Sequence, residues 1–314
     1  RNSLLMIIST IESLSNDILI ELFRYFHTSD LFQLFYNLNH RFNAIIQSHS
    51  NLYLTLSKTT AIPNYSPFIR SLTIVDDLEL NLNEFPNLSR LILHHPSSSF
   101  LQHLESSFLP RLEYLAIPNI LFGMSSLFSQ IFSPRYPQLK ICHLFGFETI
   151  ETIRTYAQNV CLRRLTIGLI DFHVYKLILS SCPNLYSFDL QIFQSYLKLV
   201  EIYSHRNLKR LNLVCEITDW RYNDQLLDCF LNCVPNLEYL TVSRTISRVQ
   251  LVEFIPDYDW FASIVALRTV YLRYLTVCLN FESNDLICFE IRRELRRYFL
   301  NSHQNRYQIR LTIK

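Results

Sequence analysis

The sequence predicts an α/β repeat fold, in which three short N-terminal helices precede a solenoid with a parallel concave sheet and helical convex segments. The first observation behind this is a recurring phrase. Val234-Pro235-Asn236-Leu237-Glu238-Tyr239-Leu240-Thr241-Val242 returns as Pro-x-Leu-x-x-Leu-x-Leu in Phe85-Pro86-Asn87-Leu88-Ser89-Arg90-Leu91-Ile92-Leu93. It returns again in Pro110 with Leu112, Leu115 and Ile117, and in Pro183 with Leu185, Phe188 and Leu190. Weaker copies are Ile69/Leu72/Ile74, Leu139/Cys142/Leu144, Leu162/Leu165/Ile167, Leu208/Leu211/Leu213 and Leu267/Val270/Leu272. The second observation is the period. Copies begin at 69, 88, 112, 139, 162, 185, 208, 237 and 267, in steps of 19 to 30 residues, and a near-fixed step with elastic loops marks a solenoid. The third lies between the strands: from Asp224 to Cys233, Leu226, Cys229, Phe230 and Cys233 fall on one helical stripe, and Val174, Leu177 and Ile178 make another.

Residues 10–50 hold the three expected helices. Ser15 caps the first, with Asp17 in its first turn where the helix dipole favours an anion. Its stripe is Ile18, Leu19, Leu22, Phe23 and Phe26. His27-Thr28-Ser29-Asp30 then supplies caps for a second helix carrying Leu31, Phe32, Leu34 and Phe35. A third, from about Asn39 to Ser48, carries Phe42, Ile45 and Ile46. So small a unit buries too little surface to stand alone, and its surplus apolar surface must be covered by the repeat array or by another protein. Residues 51–68 read as a connector, marked by Pro63 and Pro67, and 69–282 as the repeats. Residues 283–314 read as a cap: a helix from Asn284 to Leu300 with Arg292, Arg293, Arg296 and Arg297 outward, then an alternating strand, Tyr307 to Ile313, closing the sheet edge.

Leu14-Ser15-Asn16-Asp17-Ile18-Leu19-Ile20-Glu21-Leu22-Phe23-Arg24-Tyr25-Phe26, with Ser29-Asp30-Leu31 and Asn39-His40-Arg41-Phe42-Asn43, resembles an F-box. It departs from the family pattern at Ser15, where proline is preferred, and at Asp17, a shortened form of the usual glutamate. The resemblance implies docking on a Skp-type adaptor that bridges to a cullin and its RING subunit. It points to Leu14, Ile18, Leu19, Leu22, Phe23 and Leu31 as the contact; the bland reading of the same residues is an intramolecular core with the first repeat. The array resembles leucine-rich repeats over roughly 69–280. The asparagine that family usually carries three residues after the last strand leucine is here Pro96, Ile120, Phe147, Ile170, Phe193, Glu216 and Thr245 in successive copies. Stabilisation by apolar packing alone is therefore expected. Together the two resemblances imply a receptor that presents an unknown substrate protein for ubiquitination, in the cytoplasm or nucleus, without catalysis or a cofactor of its own. The alternative is a stand-alone repeat scaffold unrelated to ubiquitin.

Composition narrows the classes. Hydrophobic content of 49% excludes general disorder, and no apolar run approaches the ~18 residues a membrane helix needs. The chain begins with Arg1 rather than Met, which leaves an upstream segment open. Net charge is +2, with seven Arg/Lys against three Asp/Glu in 285–314. Glu290 and Glu294 stand three residues before Arg293 and Arg297, so that cluster reads as a solvated capping face and no nucleic-acid partner is expected. Eight cysteines, all after residue 141, fit buried thiols in a reducing compartment. With Gly123, Gly146 and Gly168 the only glycines, neither a phosphate-cradling loop nor a nucleophile elbow can be assembled.

Cys229 and Cys233, with His205 and Cys215 upstream, invite a zinc reading, but the pair lies on an apolar stripe, so no metal is expected. The positive signal for function lies on the strand residues between the buried leucines, which face the open side of a solenoid. Those expected to touch a substrate protein are Arg90, His94, Tyr114, His143, Arg164, Asp189, Arg210, Tyr239, Thr241, Tyr271 and Arg273. They are rich in the Tyr and Arg that dominate binding hot spots.

Overall fold

The computed structural model describes residues 11–49, 52–58, 62–78, 80–97, 99–101, 104, 109–120, 131–132, 136–147, 158–170, 172–192, 204–215, 223–246, 265, 267–281, 293 and 308–313. Among them, eleven strands form one sheet whose order is that of the chain. They are β1 (Tyr53–Leu56), β2 (Ser71–Ile74), β3 (Arg90–Leu93), β4 (Tyr114–Ile120), β5 (Ile141–Phe147), β6 (Arg164–Ile170), β7 (Ser187–Ile192), β8 (Arg210–Cys215), β9 (Tyr239–Ile246), β10 (Tyr274–Phe281) and β11 (Gln308–Ile313). Every neighbouring pair is parallel. Parallel neighbours need a crossover of a dozen or more residues, and right-handed crossovers in a monotonic strand order all fall on one face. The repeat therefore covers one face and leaves the other open.

Strand alternation decides which residues are covered. Leu72, Leu91, Leu115, Cys142, Leu165, Phe188, Leu211, Leu240 and Leu275 are aligned across β2 to β10 and all are buried. Two residues on, Ile74, Leu93, Ile117, Leu144, Ile167, Leu190, Leu213, Val242 and Val277 form the next buried row. Each such side chain contributes about 1.5–3 kcal/mol by leaving water. The covering helices belong to the same core. α4 (Phe172–Ser181) buries Val174, Tyr175, Ile178 and Leu179, and α5 (Asn223–Asn232) buries Leu227, Phe230 and Leu231. Cys229, expected on the α5 stripe, is only half-buried, because the stripe is centred one residue further round.

The N-terminal helices are α1 (Asn16–Phe23), α2 (Thr28–Leu34) and α3 (His40–Ser48). Ser15 caps α1 through the backbone N–H of Ile18, and Asn39 caps α3 through that of Phe42. Asn37 takes the left-handed conformation, φ 69°, between α2 and α3, and its N–H donates to Asn43 Oδ1. Arg41 ties the start of α3 to that of α1: its guanidinium donates to Asn16 Oδ1 at 2.7 Å, to the Glu12 carbonyl at 2.8 Å and to the Leu14 carbonyl. Phe23, Phe26, Phe35 and Phe42 form a ring cluster within this unit.

Two elements depart from the sequence expectation. The connector 51–68 is not structureless: Tyr53–Leu56 is β1, paired with β2, and Ser66–Phe68 is a 3-10 turn. The last repeat lies five residues later than expected. Leu267 is 67% exposed and Val270 78%, whereas Leu272, Leu275 and Val277 take the buried positions, with Leu275 opposite Leu240. The spacing 267, 270, 272, 275, 277 matches the phrase twice over, so only pairing decides it. The backbone N–H groups of Arg273 and Tyr274 both reach the Glu238 carbonyl, the arrangement that starts the other strands. β11 closes the edge of the sheet beside β10, as the alternation at the C-terminus predicts. The expected helix from Asn284 to Leu300 lies outside the described residues, save that Arg293 is helical and exposed.

Polar bonds also tie the repeats. In the phrase Pro-Asn-Leu, and in Arg206-Asn207-Leu208, the asparagine amide donates to the carbonyl of the preceding turn: Asn87 to Pro67 at 2.8 Å, Asn184 to Val160 at 2.9 Å, Asn207 to Pro183 at 2.8 Å and Asn236 to Arg206 at 3.1 Å. An asparagine ladder thus exists, before the strands instead of after them, and corrects the expectation of apolar packing alone.

Candidate functional site

The open face is built from strand residues of the opposite parity. One row runs Tyr53, Ser71, Arg90, Tyr114, Ile141, Arg164, Ser187, Arg210, Tyr239, Tyr274 and Gln308. The next runs from Thr55 through Ile92, Ala116, His143, Thr166, Asp189, Asn212, Thr241 and Thr276 to Arg310. Beyond it the register shifts between β4, β5, β6 and β7, where Gly146 and Gly168 stand. Bulges of this kind re-aim the strand end.

Arginine and tyrosine are neighbours at two places on the first row, Arg90 with Tyr114 and Arg210 with Tyr239. The Arg90 guanidinium lies 4.1 Å over the Tyr114 ring, and that of Arg210 lies 4.6 Å over Tyr239 and 5.6 Å over Tyr186. Tyr239 stacks on Tyr274 with centroids 4.7 Å apart and planes 6° from parallel. Each cation–π contact at such a site is worth about 0.5–1 kcal/mol.

A polar chain crosses the centre on the second row. His143 Nδ1 is 2.8 Å from Thr166 Oγ1, and the Thr166 hydroxyl donates to Asp189 Oδ2 at 3.3 Å. With its proton committed to Asp189, Thr166 accepts from His143 Nδ1–H, which leaves Nε2 as the bare acceptor. The Asn212 amide hydrogen-bonds Asp189 from the other side. Since an ionised carboxylate only accepts, Asn212 turns its NH2 inward, and its Oδ1 is enclosed without a partner. Burial pushes the Asp189 carboxyl up against the pull of Thr166 and Asn212, and burial also holds His143 below its usual value, aided by Arg90 and Arg164 and opposed by Asp189. Thr166 is buried and its proton faces away from His143, so the chain is no nucleophilic triad; it orients an imidazole.

Most of the expected substrate-facing residues lie on this face. Arg90, Tyr114, His143, Arg164, Asp189, Arg210, Tyr239 and Thr241 are strand residues of the open parity, and His94 follows β3, its N–H donating to the Ile74 carbonyl. Tyr271 and Arg273 do not belong there. Tyr271 sits in the turn before β10, and Arg273 directs its guanidinium to Glu238 at the strand starts, 3.7 Å away. Their places are taken by Tyr274 and Thr276. The missed signal is an exact repeat, Tyr-Leu-Thr-Val at 239–242 and again at 274–277.

On the helices, Leu19, Phe23 and Leu31 are buried in the core that also contains the first strands, so they are not accessible to an adaptor. Leu14 and Leu22 are partly exposed, and Ile18 is 52% exposed. Ile18 and Leu22 are the outward apolar residues of α1, Tyr25 continues their stripe two residues past its end, and Leu34 and Leu38 are exposed on and just after α2.

Three of the described cysteines are inert by burial. Cys142 and Cys182 are buried with their thiols pushed far up, and Cys233 is pushed up to about 11, by burial first in each case. Among the described residues no group of three or more His, Cys, Asp or Glu could hold a metal ion, and no helix is long and apolar enough to cross a membrane. The chain matches no protein-family model, and no curated protein matches its sequence.

Proposed function

We propose that this chain is the substrate-recognition subunit of a Skp–cullin–F-box ubiquitin ligase, its three helices docking the adaptor and its leucine-rich-repeat sheet holding a substrate protein. The observation that carries the reading is the pairing of an outward apolar stripe, Ile18, Leu22 and Tyr25 on a three-helix unit, with a long sheet whose other face is free for a second partner. Its contribution to the reaction would be proximity: a substrate lysine tethered at high effective concentration, with no covalent step here.

A second reading has its own support. Thr28 Oγ1 accepts the backbone N–H of Tyr53, His27 hydrogen-bonds the Tyr53 hydroxyl, and Phe32 stacks on Tyr65 at 4.4 Å and on Phe68 at 5.8 Å. The helices thus cap the β1 edge, which suits a stand-alone scaffold. Capping and docking use different sides of the same helices, so co-purification with a Skp-type adaptor separates the readings. The ligase reading expects a one-to-one complex that Ile18→Asp abolishes while thermal stability stays within a few degrees. A soluble full chain with no affinity for the adaptor would leave the scaffold.

A further inference from the structure

The open face has a charge the whole chain does not. Net charge overall is +2, yet the described strand residues of this face carry Arg90, Arg164, Arg210 and Arg310 against a single carboxylate, Asp189. That carboxylate is itself enclosed by Thr166 and Asn212. Among the described residues, Arg90, Arg164 and Arg210 form no ion pair. Two of them lie over tyrosine rings, where their N–H donors can still meet a carboxylate.

Spacing specifies the ligand further. Arg90, Arg164 and Arg210 stand in one row on β3, β6 and β8. With strands ~4.8 Å apart, the gaps are about 14 Å and about 10 Å; side chains of an extended chain rising ~3.3 Å per residue return to one side at every second position, so every fourth residue, in ~13 Å steps, meets the three arginines within the reach of their side chains. Tyr114 and Ile141 fill the first gap and Ser187 the second.

We propose that this row binds an extended acidic segment of a partner protein, with carboxylates set over Arg90, Arg164 and Arg210 and an apolar residue over Ile141. The inference rests on the reading of the open face as a substrate-recognition surface, and not on adaptor docking. A single-stranded nucleic acid fits less well. It needs unoccupied aromatic faces for its bases, whereas Tyr114 is covered by Arg90 and Tyr239 lies between Arg210 and Tyr274.

The test is fluorescence anisotropy of the purified chain with a labelled peptide bearing Glu at its first, fifth and ninth positions and apolar residues between. Exchanging the three Glu for Gln, or introducing Arg164→Glu with Arg210→Glu, is expected to weaken binding at least about tenfold. Arg206→Glu, one such charge reversal in an exposed loop off this face, is expected to stay within about twofold. If the double reversal lowers the melting temperature, Arg164→Gln with Arg210→Gln replaces it, with the same order of loss expected. The proposal is overturned if neither peptide binds, if the Gln peptide binds equally, if Arg206→Glu weakens binding as much, or if a deoxythymidine oligomer displaces the peptide at lower concentration than unlabelled peptide does. Failure here with the adaptor complex intact refutes the acidic ligand alone; loss of the adaptor complex with peptide binding intact refutes the ligase reading alone.

Discussion

Asn159 and His205 occupy the same slot, three residues before the first buried leucine of their repeats. In other copies the N–H of that leucine donates to the backbone carbonyl three residues earlier, as Leu88 does to Phe85 and Leu237 to Val234. In these two a side chain takes over: Leu162 N–H donates to Asn159 Oδ1 at 3.1 Å and Leu208 N–H to His205 Nδ1 at 3.0 Å. Each side chain then reaches back, Asn159 to the Ile131 carbonyl and His205 to that of Cys182. His205→Ala strands a buried N–H and a buried carbonyl and is expected to cost about 2–4 kcal/mol in urea unfolding, while His205→Asn should recover most of it because Asn159 already fills this role. Burial lowers the His205 pKa, as it does for His49 and His143. Below about pH 6.5 the unfolded histidines take up protons that the folded ones resist, so the unfolded state binds more protons and stability falls with pH through that window. His205→Asn should flatten the fall between pH 7 and about pH 5.5, and an unchanged slope would contradict the assignment. At Asp189 the sign is reversed: burial raises its pKa, so Asp189→Asn, which also lets the Asn212 amide turn and satisfy Oδ1, is expected to leave stability at pH 7 unchanged or higher. The roles of Asn159 and His205 were not legible in the sequence, since each depends on a neighbouring repeat 20 or more residues away.

At the scale of the element, the Leu-x-x-Leu-x-Leu grid was legible wherever proline or the period fixed its start, because strand alternation leaves one way to bury three apolar residues. It failed where the phrase overlaps itself. Leu275→Ala should cost about 2–5 kcal/mol, as a core truncation does, whereas Val270→Ala, at 78% exposure, should change stability by less than about 0.5 kcal/mol. The reverse result would restore the sequence register. β1 was missed because Tyr53–Leu56 offers only four residues beside prolines, and its pairing with β2 and its capping by Thr28 and Phe32 are long-range. The asparagine ladder is written in Pro-Asn-Leu, ahead of the strands, whereas the family pattern carries its asparagine after them. Asn184→Ala is expected to cost about 1 kcal/mol and to speed amide exchange at the start of β7.

At the scale of the molecule, one core runs from the helices through the sheet, which explains how a unit too small to fold alone persists. A chain beginning at residue 51 uncovers Leu52, Phe68 and the β1 edge, and an unpaired edge with apolar flanks is a template for association; light scattering should report aggregation. The composition of the open face was legible in the sequence, since strand parity alone places Arg90, Tyr114, Arg210 and Tyr239 there. The outward side of α1 was legible only in part, because helical periodicity locates an apolar stripe without saying which of its residues the sheet will claim. The account turns on that side being a docking surface distinct from the core. Hydrogen–deuterium exchange of the full chain with and without a Skp-type adaptor tests it most directly. The account predicts slower exchange across α1 and the exposed end of α2 with the strands β4 to β9 unchanged, and unchanged exchange on the helices at saturating adaptor would contradict it.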